Sequence, residues 1–234
     1  MNPPYMGGGN MNATLSKYVK DNYEEGKADM MTVFMVVAEN HIEKNGKIGM
    51  ITLPSWLFLS TFENLRKNIV VNYHIDSLLH MGRGIFGIDW GSTAFVVSNC
   101  INHAGGTYFR LHKRNFQHIY YYHIEQLFLK ALNNHNFKYD FDSYRDDDVV
   151  SKDIIFESSE TGLQLYYPNV SQQDFEKIPG CPIGYWVSEK IIDVFFKNNP
   201  ISVYSIARSG FSTGYNERFV KCCYEVSDDS IRYK

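Results

Sequence analysis

Residues 29–53 read DMMTVFMVVAENHIEKNGKIGMITL, a helix followed by a strand. Asp29 can accept from the first free N–H groups, and Met30, Val33, Phe34 and Val37 recur at three- and four-residue spacing. Asn45-Gly46 is a helix-stop signal, so the predicted helix runs over 29–45. KIGMITL, 47–53, is a short apolar run with the look of a buried strand, and Pro54-Ser55 breaks it. Phe62, Leu65 and Ile69 mark a second helix. Residues 74–80 and 92–98 (STAFVVS) are further strand candidates. Strand–helix–strand alternation at this spacing predicts an α/β fold, with a mostly parallel sheet and helices on its faces.

Upstream of that helix stands Asn2-Pro3-Pro4-Tyr5, directly after Met1. An exocyclic amine on a base is a poor nucleophile, because its lone pair is delocalised into the ring. Two acceptors aimed at its N–H bonds favour a pyramidal, more nucleophilic nitrogen. The Asn2 side-chain oxygen and the Pro3 carbonyl are such acceptors. The diproline is stiff, since each ring fixes φ and restricts the residue before it. Acceptors held in place before charge develops are preorganised. Tyr5 offers a ring for base stacking, worth roughly 1–3 kcal/mol. The plainer reading is a proline-rich turn, but proline makes up only about 5% of average sequence.

Composition narrows the classes. The chain has 234 residues, a net charge of −3, four cysteines and eight histidines. That length suits one substantial core, or one domain and part of another. The charge argues against a strongly basic nucleic-acid arm, though not against local basic patches. Cys100, Cys181, Cys222 and Cys223 form no CxxC pair and read as reduced thiols of a cytoplasmic protein. The histidines lack zinc spacing, so no metal is expected. No apolar run approaches the roughly 20 residues of a membrane span.

The remaining segments are weaker signals. Gly7-Gly8-Gly9 is no P-loop, because no GKS or GKT follows; it allows a sharp turn beside a ligand. MGRGIFGIDWGS, 81–92, reads as a mobile connection, with Arg83, Phe86 or Trp90 touching a substrate as the other reading. GTYFRLHK from 106 reads as a strand, and HIYYYHIEQLFLKAL becomes helical in its second half. Asp146-Asp147-Asp148 reads as a solvated loop rather than a metal cluster. Pro179, Gly180 and Pro182 suggest a linker, followed by a helix capped by Ser188 that carries Ile191, Ile192 and Phe195. Arg208, Gly210, Thr213, Gly214, Asn216 and Arg218 form a turn-rich loop. It suits phosphate contacts and a plain β-turn equally.

Taken in order, NPPYMGG, Asp29 to Phe34, GKIGMITLPSWLFLSTFENLR, GSTAFVVS, IPGCPIGYWVSEK and SGFSTGYNERF resemble adenine-specific DNA methyltransferases. The likeness is to the large methyltransferase of BREX phage-resistance systems and to type IIG-like enzymes. It runs over nearly the whole chain, strongest at 2–9, 46–66 and 179–219 and weakest at 103–170. The resemblance implies a partial Rossmann-like class I methyltransferase sheet over 1–135. An irregular connection over 136–187 and the start of a target-recognition domain over 188–234 follow. It implies transfer of a methyl from S-adenosyl-L-methionine to an adenine flipped out of double-stranded DNA, with Asn2, Pro3, Pro4 and Tyr5 holding the amine. Phe34 stands where the family has an aromatic near the cofactor, and a core Phe is the competing reading. Phe95 or Asn99 stands where the family covers the flipped base. Arg208, Thr213, Asn216 and Arg218 would meet DNA.

The family builds its cofactor site from a glycine-rich turn and an acidic residue upstream of NPPY. The expectation is therefore a fragment that binds the cofactor weakly, exposes an apolar sheet edge and pairs with a complementary half or other defence-system subunits. Two other readings stay open: an NPPY methyltransferase acting on RNA or protein glutamine, and a non-catalytic DNA-binding or assembly remnant.

Overall fold

The computed structural model describes residues 1–83, 85, 91–100, 104–113, 118–145, 154–206, 218 and 225. The chain falls into two compact units, Met1–Phe196 and Lys197–Lys234. In the second, a short 3-10 turn spans Ile201–Val203, and its described residues are exposed.

The first unit opens with helix α1 (Ala13–Asn22), capped by Asn12, whose side chain accepts from Leu15 N–H. Helix α2 (Met30–His41) follows, with Asp29 as its cap. It stops at His41, short of the expected 45. Asn45 then takes a left-handed φ of 63° and its N–H donates to the Asn99 carbonyl, which turns the chain into strand β1 (Lys47–Thr52). Helix α3 (Glu63–Asn72) leads to β2 (His74–Gly82), then β3 (Ser92–Ser98) and β4 (Gly106–Arg110). Helix α4 covers Tyr121–Asn133, starting earlier than the expected second half of 118–132. A two-stranded ribbon joins β5 (Lys138–Tyr139) to β6 (Leu163–Gln164). Strand β7 (Tyr166–Val170) and helices α5 (Gln173–Glu176) and α6 (Glu189–Lys197) complete the unit. Among the described residues, no helix is long and apolar enough to cross a membrane.

The α/β class holds, with an open sheet of order β1-β3-β2-β4-β7. The expected mostly parallel pairing does not. β3 pairs antiparallel with both β1 and β2, and β7 antiparallel with β4; β2–β4 is the parallel neighbour pair. The reason lies in connection length. A parallel crossover needs a dozen or more residues, and only 83–91 separate β2 from β3. β3 therefore folds straight back, between β1 and β2. Those two run the same way, joined through α3, and β4 runs with them.

Register sorts the side chains. Met50, Phe95, Leu78 and Tyr108 lie opposite one another across four strands, so they share a face. All four are buried, against Met31 and Met35 of α2 and Leu65 and Ile69 of α3. On the other face, Phe109 and Leu111 pack with Ile124, Leu127 and Ala131 of α4.

The predicted linker is a correction. Phe175, Ile178, Cys181, Ile183 and Tyr185 are buried. Arg66, itself buried, donates to the carbonyls of Gly180 and Cys181 at 2.6 and 3.0 Å, and to those of Trp56 and Leu59 at 2.8 and 2.6 Å. The prolines and glycine do not loosen this segment. Gly180 and Cys181 take left-handed φ values of 83° and 48°, which turn two carbonyls toward the guanidinium. Cys100 and Cys181 are free thiols, as expected; Cys222 and Cys223 lie outside the described residues.

Candidate active site

The tetrapeptide sits at the edge of the sheet. The Met1 ammonium donates to the Gly49 carbonyl at 2.7 Å, and Ile51 N–H donates to the Met1 carbonyl at 2.9 Å. These bonds straddle Met50, the pattern of a parallel ladder. Asn2 to Tyr5 thus leave the sheet where β1 ends, which is also the end reached by β2 and β4.

Pro3 is buried, while Asn2 and Pro4 are exposed. The half-buried Tyr5 ring packs against the core, and its hydroxyl donates to Asn2 Oδ1 at 2.6 Å, with the Ile51 carbonyl 3.4 Å away. Burial pushes the Tyr5 phenol pKa up, so the hydroxyl stays a donor. The amide oxygen keeps a second lone pair for an incoming N–H. Beside Asn2 opens a cleft of about 600 Å³, walled by Gly49, Ile51, Leu79, Ala94 and Phe109 among others. Asn2 and Ser77 supply the polar side chains of that lining.

The chain after Tyr5 is bound to the start of α2. Met30 N–H donates to the Met6 carbonyl at 3.0 Å, and Gly8 N–H to Ala28 at 2.8 Å. Gly7 and Asp29 form an antiparallel bridge.

Of the other expected site residues, Phe95 also lines the cleft beside Asn2. Phe34 is half-buried on α2, packs against the core cluster and is not part of the cleft wall. Phe95 is 4% exposed, and its ring lies 5.1 Å from that of Trp56. Asn99, its alternative, donates to the carbonyls of Ile42 and Glu43 and fastens the α2–β1 turn. Arg83 bridges to His118. Arg208, Thr213, Asn216, Phe86, Trp90 and Asp146 to Asp148 lie outside the described residues, and Arg218 is described only as exposed.

Several features were missed in the sequence. Thr52 and Thr93 face each other in register with their hydroxyl oxygens 3.1 Å apart, and Trp56 Nε1 donates to Thr52 at 3.0 Å. These buried bonds anchor the turn after β1. Arg66 had a legible signal: it shares the helical face of Phe62, Ile69 and Val70. Where β2 and β4 end, the rings of His80 and His112 lie 4.2 Å apart, and the Arg110 guanidinium sits 4.4 Å over Trp186. Burial first, and then the neighbouring His112 and Arg110, hold the His80 pKa well below the usual imidazole range. His80 Nε2 finds no hydrogen-bond partner among the described residues.

At this strand end a phenol thus holds an amide oxygen beside an open cleft. Residues 1–86 match the family described as Eco57I restriction-modification methylase. The chain is 33% identical over 238 residues to the adenine-specific methyltransferase PglX of Lacticaseibacillus casei (strain Zhang), covering 99% of this chain and 17% of that protein. It is 30% identical to the adenine-specific methyltransferase BrxX of Escherichia coli O9:H4 (strain HS), covering 98% and 16%. It thus spans about a sixth of the length of these relatives. Among solved structures, it is similar to a modification subunit of a putative type I restriction enzyme from Vibrio vulnificus YJ016. That likeness has 13% identity, a TM-score of 0.41, and coverage of 72% of this chain and 36% of the other. The family likeness read from the residues is thus found over nearly the whole chain.

Proposed function

We propose that this chain carries the amine-holding site of a site-specific DNA N6-adenine methyltransferase. The observation that carries the reading is the Asn2 amide, exposed at the end of β1 with its oxygen oriented by Tyr5. Flipping the base out of the duplex costs a few kcal/mol, least where pairing is weak. Asn2 Oδ1 and the Pro3 carbonyl then accept the two N6–H bonds and localise the lone pair on nitrogen. Tyr5 lends its ring to the base. Transfer would join the methyl carbon to N6 as its bond to the donor's sulfonium sulfur breaks, leaving a neutral thioether, and the cationic N6 would shed one proton toward solvent.

S-adenosyl-L-methionine would supply the electrophilic methyl. The cleft beside Asn2 has no charged side chain among its described lining, and Phe34 is not part of it. These residues therefore fit the acceptor amine rather than the donor's sugar and amino-acid ends, and no step is assigned to them in holding it. DNA is the proposed substrate, residues 188–234 are proposed to lead into target recognition, and further subunits of a defence system are proposed partners.

The test is to express the protein from its own locus in a host without other adenine methyltransferases and to map N6-methyladenine. A sequence-specific mark that Asn2→Ala abolishes supports the reading. A methyl label found only in RNA or on a protein amide overturns it.

A further inference from the structure

The far side of the tetrapeptide is held by one carboxylate. Asp29 Oδ1 accepts from Met31 N–H at 3.0 Å, the ordinary bond of a helix cap. The same oxygen accepts from Met6 N–H at 3.2 Å, across 23 positions of sequence. Met6 N–H belongs to the peptide directly after Tyr5. Its direction is set by rotation about the Tyr5 Cα–C bond, so the bond to Asp29 fixes that rotation. Tyr5 is therefore held at both ends: its hydroxyl on Asn2, its following peptide on Asp29. The backbone bonds of Met30 to Met6 and of Gly8 to Ala28 keep Asp29 within reach.

A cap needs neither a carboxylate nor a second donor. Ser or Asn caps a helix equally well. A carboxylate has about four acceptor positions, and this one spends part of that capacity outside its own helix. The start of α2 thereby fixes the backbone on the far side of the Tyr5 Cα, from which the ring reaches back to the Asn2 amide.

We propose that Asp29 is a positioning residue for the amine-holding site, acting through Met6 N–H rather than through helix stability. The proposal rests on the reading of Asn2 to Tyr5 given above. Two variants separate the roles. Asp29→Ser keeps a good cap, but its shorter side chain does not reach Met6. Asp29→Asn keeps an oxygen where Oδ1 stands and meets both donors.

Hydrogen exchange is measured at the Met6 and Met31 amides of the 234-residue chain, with its melting temperature. Methyl transfer to duplex DNA is measured for the protein expressed from its own locus. In Asp29→Ser, Met6 exchange speeds up about tenfold or more while Met31 stays protected. The melting temperature moves little, and kcat falls ~10-fold with KM for DNA nearly unchanged, since a small misplacement of reacting groups acts on the chemical step. Asp29→Asn restores all of these. Unchanged Met6 exchange or undiminished kcat in Asp29→Ser overturns the proposal. So does a loss that Asp29→Asn does not rescue, or one matched by a fall in melting temperature. If Asn2→Ala is fully active, the underlying reading fails and takes this proposal with it; if Asn2→Ala is inactive and Asp29→Ser is not impaired, only this proposal fails.

Discussion

The Tyr5 hydroxyl donates to Asn2 Oδ1 at 2.6 Å, so the last residue of the tetrapeptide orients the first. The phenol thus has a job apart from its ring. Tyr5→Phe keeps the ring and removes the donor. Because a net hydrogen bond is worth about 0.5–1.5 kcal/mol, single-turnover methyl transfer should slow about two- to tenfold. Tyr5→Ala, which also loses the stacking face, should slow it further. The raised phenol pKa keeps the donor protonated, so the wild-type to Tyr5→Phe rate ratio should stay flat up to pH 9 or so. A ratio that collapses between pH 7 and 9 would contradict this role.

Glu39 of α2 has its carboxyl pKa pushed from 4.5 to about 7, first by burial and then by Glu25, against a hydrogen bond from Asn68. The folded state therefore binds a proton that the unfolded state has released. Its stabilising effect is complete below pH 4.5 and is lost as pH rises to about 7. Glu39→Gln keeps an oxygen for Asn68 and carries no charge. At pH 8 it should be more stable than wild type by on the order of 1–3 kcal/mol, read from urea midpoints. Equal midpoints at pH 8 would refute this.

His80 slopes the opposite way. Its folded pKa is depressed, so the unfolded state takes up a proton near pH 6.5 that the folded state refuses. Stability is full above pH 6.5 and falls as pH drops below it. Between 4.5 and 6.5 the two groups oppose each other, and the wild-type profile should be flat on their account. Glu39→Gln should expose a decline toward acid, and His80→Phe, which suits the neighbouring Phe58 and Trp186, a decline toward neutral pH. Thermal melts of both variants and their combination across that window check the signs.

Arg66 is a buried cation met by four backbone carbonyls on two separate segments. Lysine cannot copy the planar fork. Arg66→Lys should cost about 2–4 kcal/mol, because buried carbonyls lose their donors. Limited proteolysis should then cut within residues 178–187, which wild type protects. Loss of stability without new cleavage there would place the damage elsewhere.

Local chemistry was legible along the chain, whereas pairing was not. The helix capped by Asp29, the strands at 47, 74 and 92, and the tetrapeptide were readable because capping, apolar spacing and proline stiffness act within a few residues. The return of β3 between β1 and β2 depends on the span of residues 83–91, a signal that was present but outweighed by the alternation pattern. The proline-rich segment at 179–182 looked like a linker because its partner, Arg66, lies 114 positions away in sequence.

Primary structure alone placed an amide, a stiff diproline and a phenol, the groups proposed to hold an amine, in four consecutive positions. Folding chose where they stand and what braces them. Phe95 was turned inward by strand register, and Asp29 gained a second donor because α2 docks beside the chain leaving Tyr5. Capping and chain stiffness are short-range effects carried by adjacent residues. Register, docking and burial are properties of contacts between distant segments, which exist only once the sheet has formed.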